Sequence, residues 1–440
     1  LPVVYLGGGP GYSSGIEPEG IARWVSAHVL SPWLRDRTLV MMDYRGTGLS
    51  EPRMDCPEFH EVRYAHYARL PDPGGHAAFS GDSAAEAALW RKAAIACRDR
   101  LKAAGVDLAA YDSAASAADL VDLRRVLGYR EWDVWGVSYG TRVALTLMRD
   151  HPEGIRSAIL DSPYPPEAVG FVDAATGIKR AFRQLLLDCA AGPSCSRTYP
   201  DIDGDLRRAV AWLDERPVVV PVSRADTGAQ ARVVLDGSAL LEVLFFEFYQ
   251  WDRIALLPGN IARAARRDLP LLRSYAEYLA NGVVDPEFSE GQQLSVECRE
   301  KFPFNPGTQR HAGPEAALLA GYEPSTPDLA LCPIWGAGIA DAVDSPPMVS
   351  DIPTLVLAGL YDPVTPPDLA RATMAGLPNG FLVEFPGIGH GVIASDACAD
   401  DVVRDFLAEP GRRPAPICLR LIGPPSFDIG VWPTGQSWED

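Results

Sequence analysis

Gly136-Val137-Ser138-Tyr139-Gly140 is the first stretch whose residue types and spacing suggest chemistry. It matches G-x-S-x-G, follows the apolar run Trp132-Asp133-Val134-Trp135 and precedes a helical pattern. A serine there sits on a tight turn. Its neighbours two residues away on either side must then be nearly free of side chain. The hydroxyl is presented at a helix N-terminus, where the dipole favours developing negative charge. The alternative is a glycine-flanked helix start with Ser138 as cap. A serine hydroxyl needs a base at neutral pH. Of the 7 histidines, His28, His60, His66 and His76 precede the serine, against the chain order serine, acid, histidine that goes with this motif. His151 ends a helical stretch and His311 lies in a region of different character. His390, in Gly387-Ile388-Gly389-His390-Gly391 just after a strand-like run, is the expected base. Asp362, in Tyr361-Asp362-Pro363-Val364-Thr365-Pro366, is the expected acid that orients it; the alternative is a cap for a helix beginning near Pro366.

Acyl transfer also needs donors for an oxyanion. Gly7-Gly8-Gly9-Pro10-Gly11 follows the first strand-like run, and the backbone N–H groups of Gly9 and Tyr139 are the expected pair. The same loop lacks a P-loop lysine and the G-x-G-x-x-G spacing, so a nucleotide phosphate site is not expected. Cysteine and histidine spacings do not suggest zinc. No cofactor and no metal are expected.

The elements that must position these residues follow from short apolar runs. Leu1–Leu6, Arg37–Met42, Trp132–Trp135, Ala158–Leu160, Thr354–Leu357 and Phe381–Phe385 are nearly continuous and mostly end in Gly or Asp, as buried parallel strands do. Helical patterns at Ser83–Ala104, Ser116–Leu127 and Thr141–Asp150 lie between them. This alternation predicts an α/β fold with a parallel sheet covered on both faces. It stops near Tyr164-Pro165-Pro166 and resumes at Pro346-Pro347. The intervening stretch has helical patterns at Ile178–Cys189, Leu206–Glu215, Ser238–Trp251 and Gly259–Asn281, and a hairpin candidate at Val218–Val222 and Ala231–Leu235. The expected organisation is a core of residues 1–163 and 346–440 with an inserted, mainly helical lid over 164–345.

The net charge of -18 leaves nothing to neutralise phosphates, which argues against nucleic acid as a partner. No stretch long enough to cross a bilayer is free of charge, Gly and Pro. The chain opens on Leu1-Pro2-Val3-Val4-Tyr5-Leu6, already strand-like, so a leader and one or more early strands are expected to precede it. The 8 cysteines favour an oxidising compartment. Cys189 and Cys195 flank a small loop that suits a disulfide. Cys56–Cys97, Cys298–Cys332 and Cys398–Cys418 are the simplest remaining pairs by order along the chain, among about 105 arrangements.

The chain resembles the proline iminopeptidase and tripeptidyl aminopeptidase branch of the α/β-hydrolases, particularly secreted members. The resemblance rests on Gly8–Gly11, Asp43-Tyr44-Arg45-Gly46-Thr47-Gly48-Leu49-Ser50, Gly136–Arg142, His151-Pro152-Glu153, Asp362–Pro366, Gly389–Gly391 and the tail carrying Cys398 and Cys418. Family members often carry His where Gly7 stands. The resemblance implies the α/β-hydrolase fold, cleavage near a peptide's free N-terminus with release of one to three residues, possible preference for proline, and a secreted, periplasmic or cell-envelope location. It also implies lid carboxylates that bind the substrate ammonium. Val296-Glu297-Cys298-Arg299-Glu300 resembles the acidic segment of such lids, and Glu297 and Glu300 could share a pocket if helical; the alternative is a solvated turn. Glu247, between Phe246 and Phe248, is a further candidate unless it is only a surface position. The same triad serves carboxylesterases and lipases, which stand as the alternative function.

Overall fold

The computed structural model describes residues 1–28, 31–68, 84–168, 170–301, 303, 328–341, 346–393 and 395–429. His76 and His311 lie outside them. Six strands form one sheet: β1 (Val3–Leu6), β2 (Leu39–Met41), β3 (Trp132–Val137), β4 (Ile155–Asp161), β7 (Thr354–Gly359) and β8 (Gly380–Phe385). Two more, β5 (Val218–Ser223) and β6 (Gln230–Leu235), form an antiparallel hairpin apart from it. The order in the sheet is β2-β1-β3-β4-β7-β8, and every neighbouring pair is parallel.

Side chains alternate across a strand, so a strand buried on both faces feeds two cores. On one face Val4, Leu6, Val134, Ala158, Leu160 and Val356 pack with the helices Ser113–Val126 and Tyr139–Asp150. On the other, Val3, Trp135, Ile159, Leu355 and Leu357 pack with the helix Ala397–Ala408. The central strands therefore read as continuous apolar runs, and the fold is the parallel α/β arrangement expected from them, in keeping with the α/β-hydrolase fold that the resemblance implies.

Between β4 and β7 the chain forms helices that include Gly170–Ala191, Ile202–Glu215, Gly237–Tyr249, Leu257–Ala265, Leu269–Asn281, Glu290–Glu300 and Asp328–Trp335. Most of them, with the hairpin, close over a core of their own that includes Phe182, Leu206, Leu213, Leu235, Leu244 and Leu272. The expected single helix over Gly259–Asn281 is two helices. Arg267 takes φ 63°, Asp268 caps the second helix by accepting from Leu271 N–H, and Pro270 in its first turn cannot continue the first.

Packing also crosses the boundary at 163. The helices Glu58–Ala68 and Ala84–Ala103 side with the insertion: Phe59, Ala94 and Leu101 share a core with Leu294, Leu331 and Trp335. Four disulfides pair the cysteines as Cys56–Cys97, Cys189–Cys195, Cys298–Cys332 and Cys398–Cys418. No described helix is long and apolar enough to cross a membrane.

Candidate active site

Ser138 stands between the end of β3 and the helix Tyr139–Asp150, at φ 56° and ψ -122°. A non-glycine residue in that region is strained, and the surroundings must hold it there. The flanking glycines are required by contact. A Cβ on Gly140 would lie 2.0 Å from the Leu6 carbonyl oxygen, and one on Gly136 2.5 Å from the Gly140 oxygen. Ser138 N–H donates to the Asp161 carbonyl at 3.0 Å, fixing the turn to β4.

Asp362 follows β7 and is fully buried. Its Oδ1 accepts from the N–H groups of Val364 and Thr365, each at 2.8 Å. Its Oδ2 accepts from the Thr365 hydroxyl at 2.8 Å and lies 2.8 Å from His390 Nδ1. Burial alone would push this carboxyl up. The His390 charge and hydrogen bond, with the Thr365 donors, outweigh it and hold the group below the usual carboxylate range. The helix that starts at Pro367 is capped by Pro366, so Asp362 is turned to the histidine and its own loop.

His390 follows β8 and is held from the insertion. Its N–H donates to the Tyr249 carbonyl at 3.1 Å, and the Tyr249 ring lies 4.5 Å from the imidazole, centre to centre. A Cβ on Gly389 would lie 2.3 Å from the Phe248 oxygen, so only glycine allows that approach. Arg180, on the helix Gly170–Ala191, donates to the Asp362 carbonyl at 3.1 Å. Tyr249 and Arg180 were not legible beforehand, because nothing local marks a lid residue that reaches a loop far along the chain. His390 Nε2 is buried and has no hydrogen-bond partner among the described residues. It is the nitrogen not turned to Asp362.

The loop Gly7–Gly11 lies against Ser138: a Cβ on Gly8 would sit 3.3 Å from Ser138 Cβ. Gly9 follows at φ 116°. The loop is anchored by buried Asp43, which accepts from Ser14 N–H at 2.6 Å and from Leu49 N–H at 2.8 Å. The motif around Asp43 thus braces the glycine loop.

The three lid glutamates have different surroundings. Glu300 is buried against Arg142: Nε of the guanidinium donates to Oε2 at 2.5 Å, and Ser113 donates to both oxygens through its N–H and hydroxyl. Its charge is balanced already, so it ties the helix Glu290–Glu300 to the helix behind Ser138. Glu297 is buried on the same helix. Glu247 is buried on the helix Gly237–Tyr249; its Oε1 accepts from Asn260 at 2.9 Å and from Tyr275 at 2.9 Å, while Oε2 has no hydrogen-bond partner among the described residues. Burial pushes its pKa up to about 7, against the Tyr275 and Asn260 donors and the Arg253 and Arg263 charges. Cys56, Glu58 and Cys97 cluster as metal donors do, but the two sulfurs form a disulfide and Glu58 pairs with Arg100.

A sequence-family profile described as "alpha/beta hydrolase fold" matches residues 2–187, and one described as "TAP-like protein" matches residues 322–416. The serine protease Hip1 of Mycobacterium tuberculosis (strain ATCC 25618 / H37Rv) is 26% identical over 315 residues, which cover 66% of this chain and 58% of that protein. Hip1 of Mycobacterium bovis matches to the same extent. The chain thus spans less than two thirds of the length of these relatives. A thermophilic esterase from Thermogutta terrifontis aligns with TM-score 0.39 at 14% identity, covering 94% of this chain and 91% of that one. Profiles on both sides of the helical stretch agree with the parallel sheet: the chain has the α/β-hydrolase fold and, over residues 322–416, is similar to TAP-like proteins.

Proposed function

We propose that the protein is a serine exopeptidase that releases one to three residues from the free N-terminus of peptides, through an acyl-enzyme on Ser138. The observation that carries the reading is the buried Asp362–His390 pair, with His390 Nε2 left without a partner, in the same structure as a strained serine turn at Ser138. His390 takes the Ser138 proton as Oγ attacks the scissile carbonyl. Asp362 stabilises the imidazolium. The N–H groups of Gly9 and Tyr139 receive the oxyanion; neither is paired with a protein acceptor among the described residues. The proton then passes from His390 to the leaving amine, and water repeats the sequence on the ester.

The insertion over 164–345 acts as the lid that limits cleavage to chain ends. A substrate ammonium entering a dry pocket needs a carboxylate. Glu297 and Glu247 are the proposed anchors; Glu300 is left out because Arg142 already balances it. The serine protease relatives favour a peptide substrate, and the four disulfides favour an oxidising, extracytoplasmic site of action.

The test compares kcat/KM for matched free and N-acetylated arylamides in wild type and in Glu297→Gln and Glu247→Gln. Wild type should strongly prefer the free peptide. The responsible variant should lose about 2–5 kcal/mol of that preference if the contact is buried. Equal rates on both substrates would sink the exopeptidase reading in favour of an esterase or endopeptidase.

A further inference from the structure

We infer that Asp161 and Ser162, at the end of β4, are positioning residues that hold the general base His390 in register with the nucleophile. The inference rests on the triad reading above. Both residues are buried, and neither belongs to the triad. Three successive amides follow His390, and all three are caught by this pair. Gly391 N–H donates to the Ser162 hydroxyl oxygen at 2.9 Å, Val392 N–H to Asp161 Oδ1 at 2.8 Å, and Ile393 N–H to Asp161 Oδ2 at 3.0 Å.

The same two residues reach the other two catalytic loops. The Asp161 carbonyl accepts from Ser138 N–H at 3.0 Å. Ser162 N–H donates to the Leu357 carbonyl at 2.9 Å, and the Ser162 carbonyl lies 3.2 Å from the Thr365 hydroxyl. Thr365 in turn contacts both Asp362 and His390. Ser162 takes φ 56°, as Ser138 does, so a second strained serine stands at the neighbouring strand end. Strain of this kind persists only where the surroundings over-determine it.

An ionised carboxylate accepts through both oxygens, whereas a protonated one carries a donor on one of them. The two amides therefore select the anion. The groups that face Asp161 are His390 and Asp362 from their loops and the Tyr5 phenol from β1. Burial, then Asp362, pushes the Asp161 pKa up to about 6, against the two amides and the His390 charge. Acid should thus loosen the loop behind the base.

The experiment uses the whole chain and two readouts. One is the second-order rate of labelling of Ser138 by a fluorophosphonate between pH 4.5 and 8; the other is kcat and KM on an aminoacyl-arylamide. Asp161→Asn should label and turn over 10- to 100-fold more slowly, the scale set by small displacements of a catalytic group, with KM within about threefold. Relative to its own rate at pH 8, wild-type labelling should fall further below pH 6 than labelling of Asp161→Asn. Ser162→Ala, which removes the Gly391 acceptor and the 3.4 Å hydroxyl contact to Asp161 Oδ1 but leaves the Val392 and Ile393 acceptors, should lose roughly 3- to 10-fold on the same grounds and carries the test if Asp161→Asn does not fold. Wild-type rates and pH profile in a folded Asp161→Asn would overturn the inference and leave the triad standing. So would wild-type rates in Ser162→Ala where only that variant folds, or a loss confined to KM. Absence of labelling in wild type would overturn the triad reading, and this inference with it.

Discussion

The proposed catalytic role of the Asp362–His390 pair rests on one contact of 2.8 Å, and its consequences can be measured at single residues. Asp362→Asn keeps the shape but offers His390 an amide in place of an anion. Turnover should fall by about 10⁴-fold, the loss seen when a triad histidine is left with the wrong tautomer, while Ser138→Ala should abolish it. Both variants should retain the wild-type circular dichroism. Because the Asp362 carboxyl is held below its unfolded value, its stabilisation is present above the ordinary carboxylate range and is lost as pH falls through the folded value. Glu247 has the opposite sign. Its pKa is raised to about 7, so its contribution is fully present below the unfolded pKa and is lost as pH rises through 7. The melting temperature of Glu247→Gln, relative to wild type, should therefore climb between pH 5 and pH 8. A flat difference across that range would mean the carboxyl ionises freely.

At the scale of elements, the helix behind the nucleophile is clamped from two directions. Gly140 lets it approach β1, and Arg142 fastens it to the lid helix Glu290–Glu300. Gly140→Ala would set a Cβ 2.0 Å from the Leu6 oxygen, where only backbone movement can relieve the clash. Arg142 also donates to the Pro165 and Pro166 carbonyls, at the start of the insertion. Removing one partner of a buried ion pair strands the other. Glu300→Gln or Arg142→Met should each cost about 3–5 kcal/mol of stability, and the double variant less than their sum. Urea unfolding of the three variants checks this; additive losses would show that the pair is not coupled.

Across the whole molecule, catalytic loops and insertion form one packed unit. Tyr249 and Arg180 from the insertion contact the base and acid loops, while Ser289 N–H donates to the Gly11 carbonyl of the oxyanion loop at 2.9 Å. The disulfides lie within its packed cores. Cys56–Cys97 spans 41 residues and joins the segment beside the insertion to the helix Ala84–Ala103. By the loop-entropy relation its loss should cost about 4 kcal/mol. The paired Cys56→Ser and Cys97→Ser variant should unfold at clearly lower denaturant, with the labelling rate of Ser138 preserved in the folded state. An unchanged midpoint would mean the unfolded chain is already constrained there.

Much of this protein can be read in one dimension because its determinants are local. A buried parallel strand has a compositional signature, which marked all six strands of the main sheet. The serine turn needs glycines at fixed offsets, and loops at strand ends restrict the acid and base to Asp362 and His390. The simplest pairing of the cysteines by order along the chain, one of about 105 arrangements, is the one the structure forms. What only the tertiary structure decided depends on distant partners. Glu300 and Glu247 look alike in sequence, yet one is neutralised by Arg142 and the other is buried with an oxygen left over. Asp161 reads as an ordinary strand end until Val392 and Ile393 arrive, more than 200 residues later, to donate to it. A carboxylate's role is set by the donors and charges around it, and folding alone brings those together.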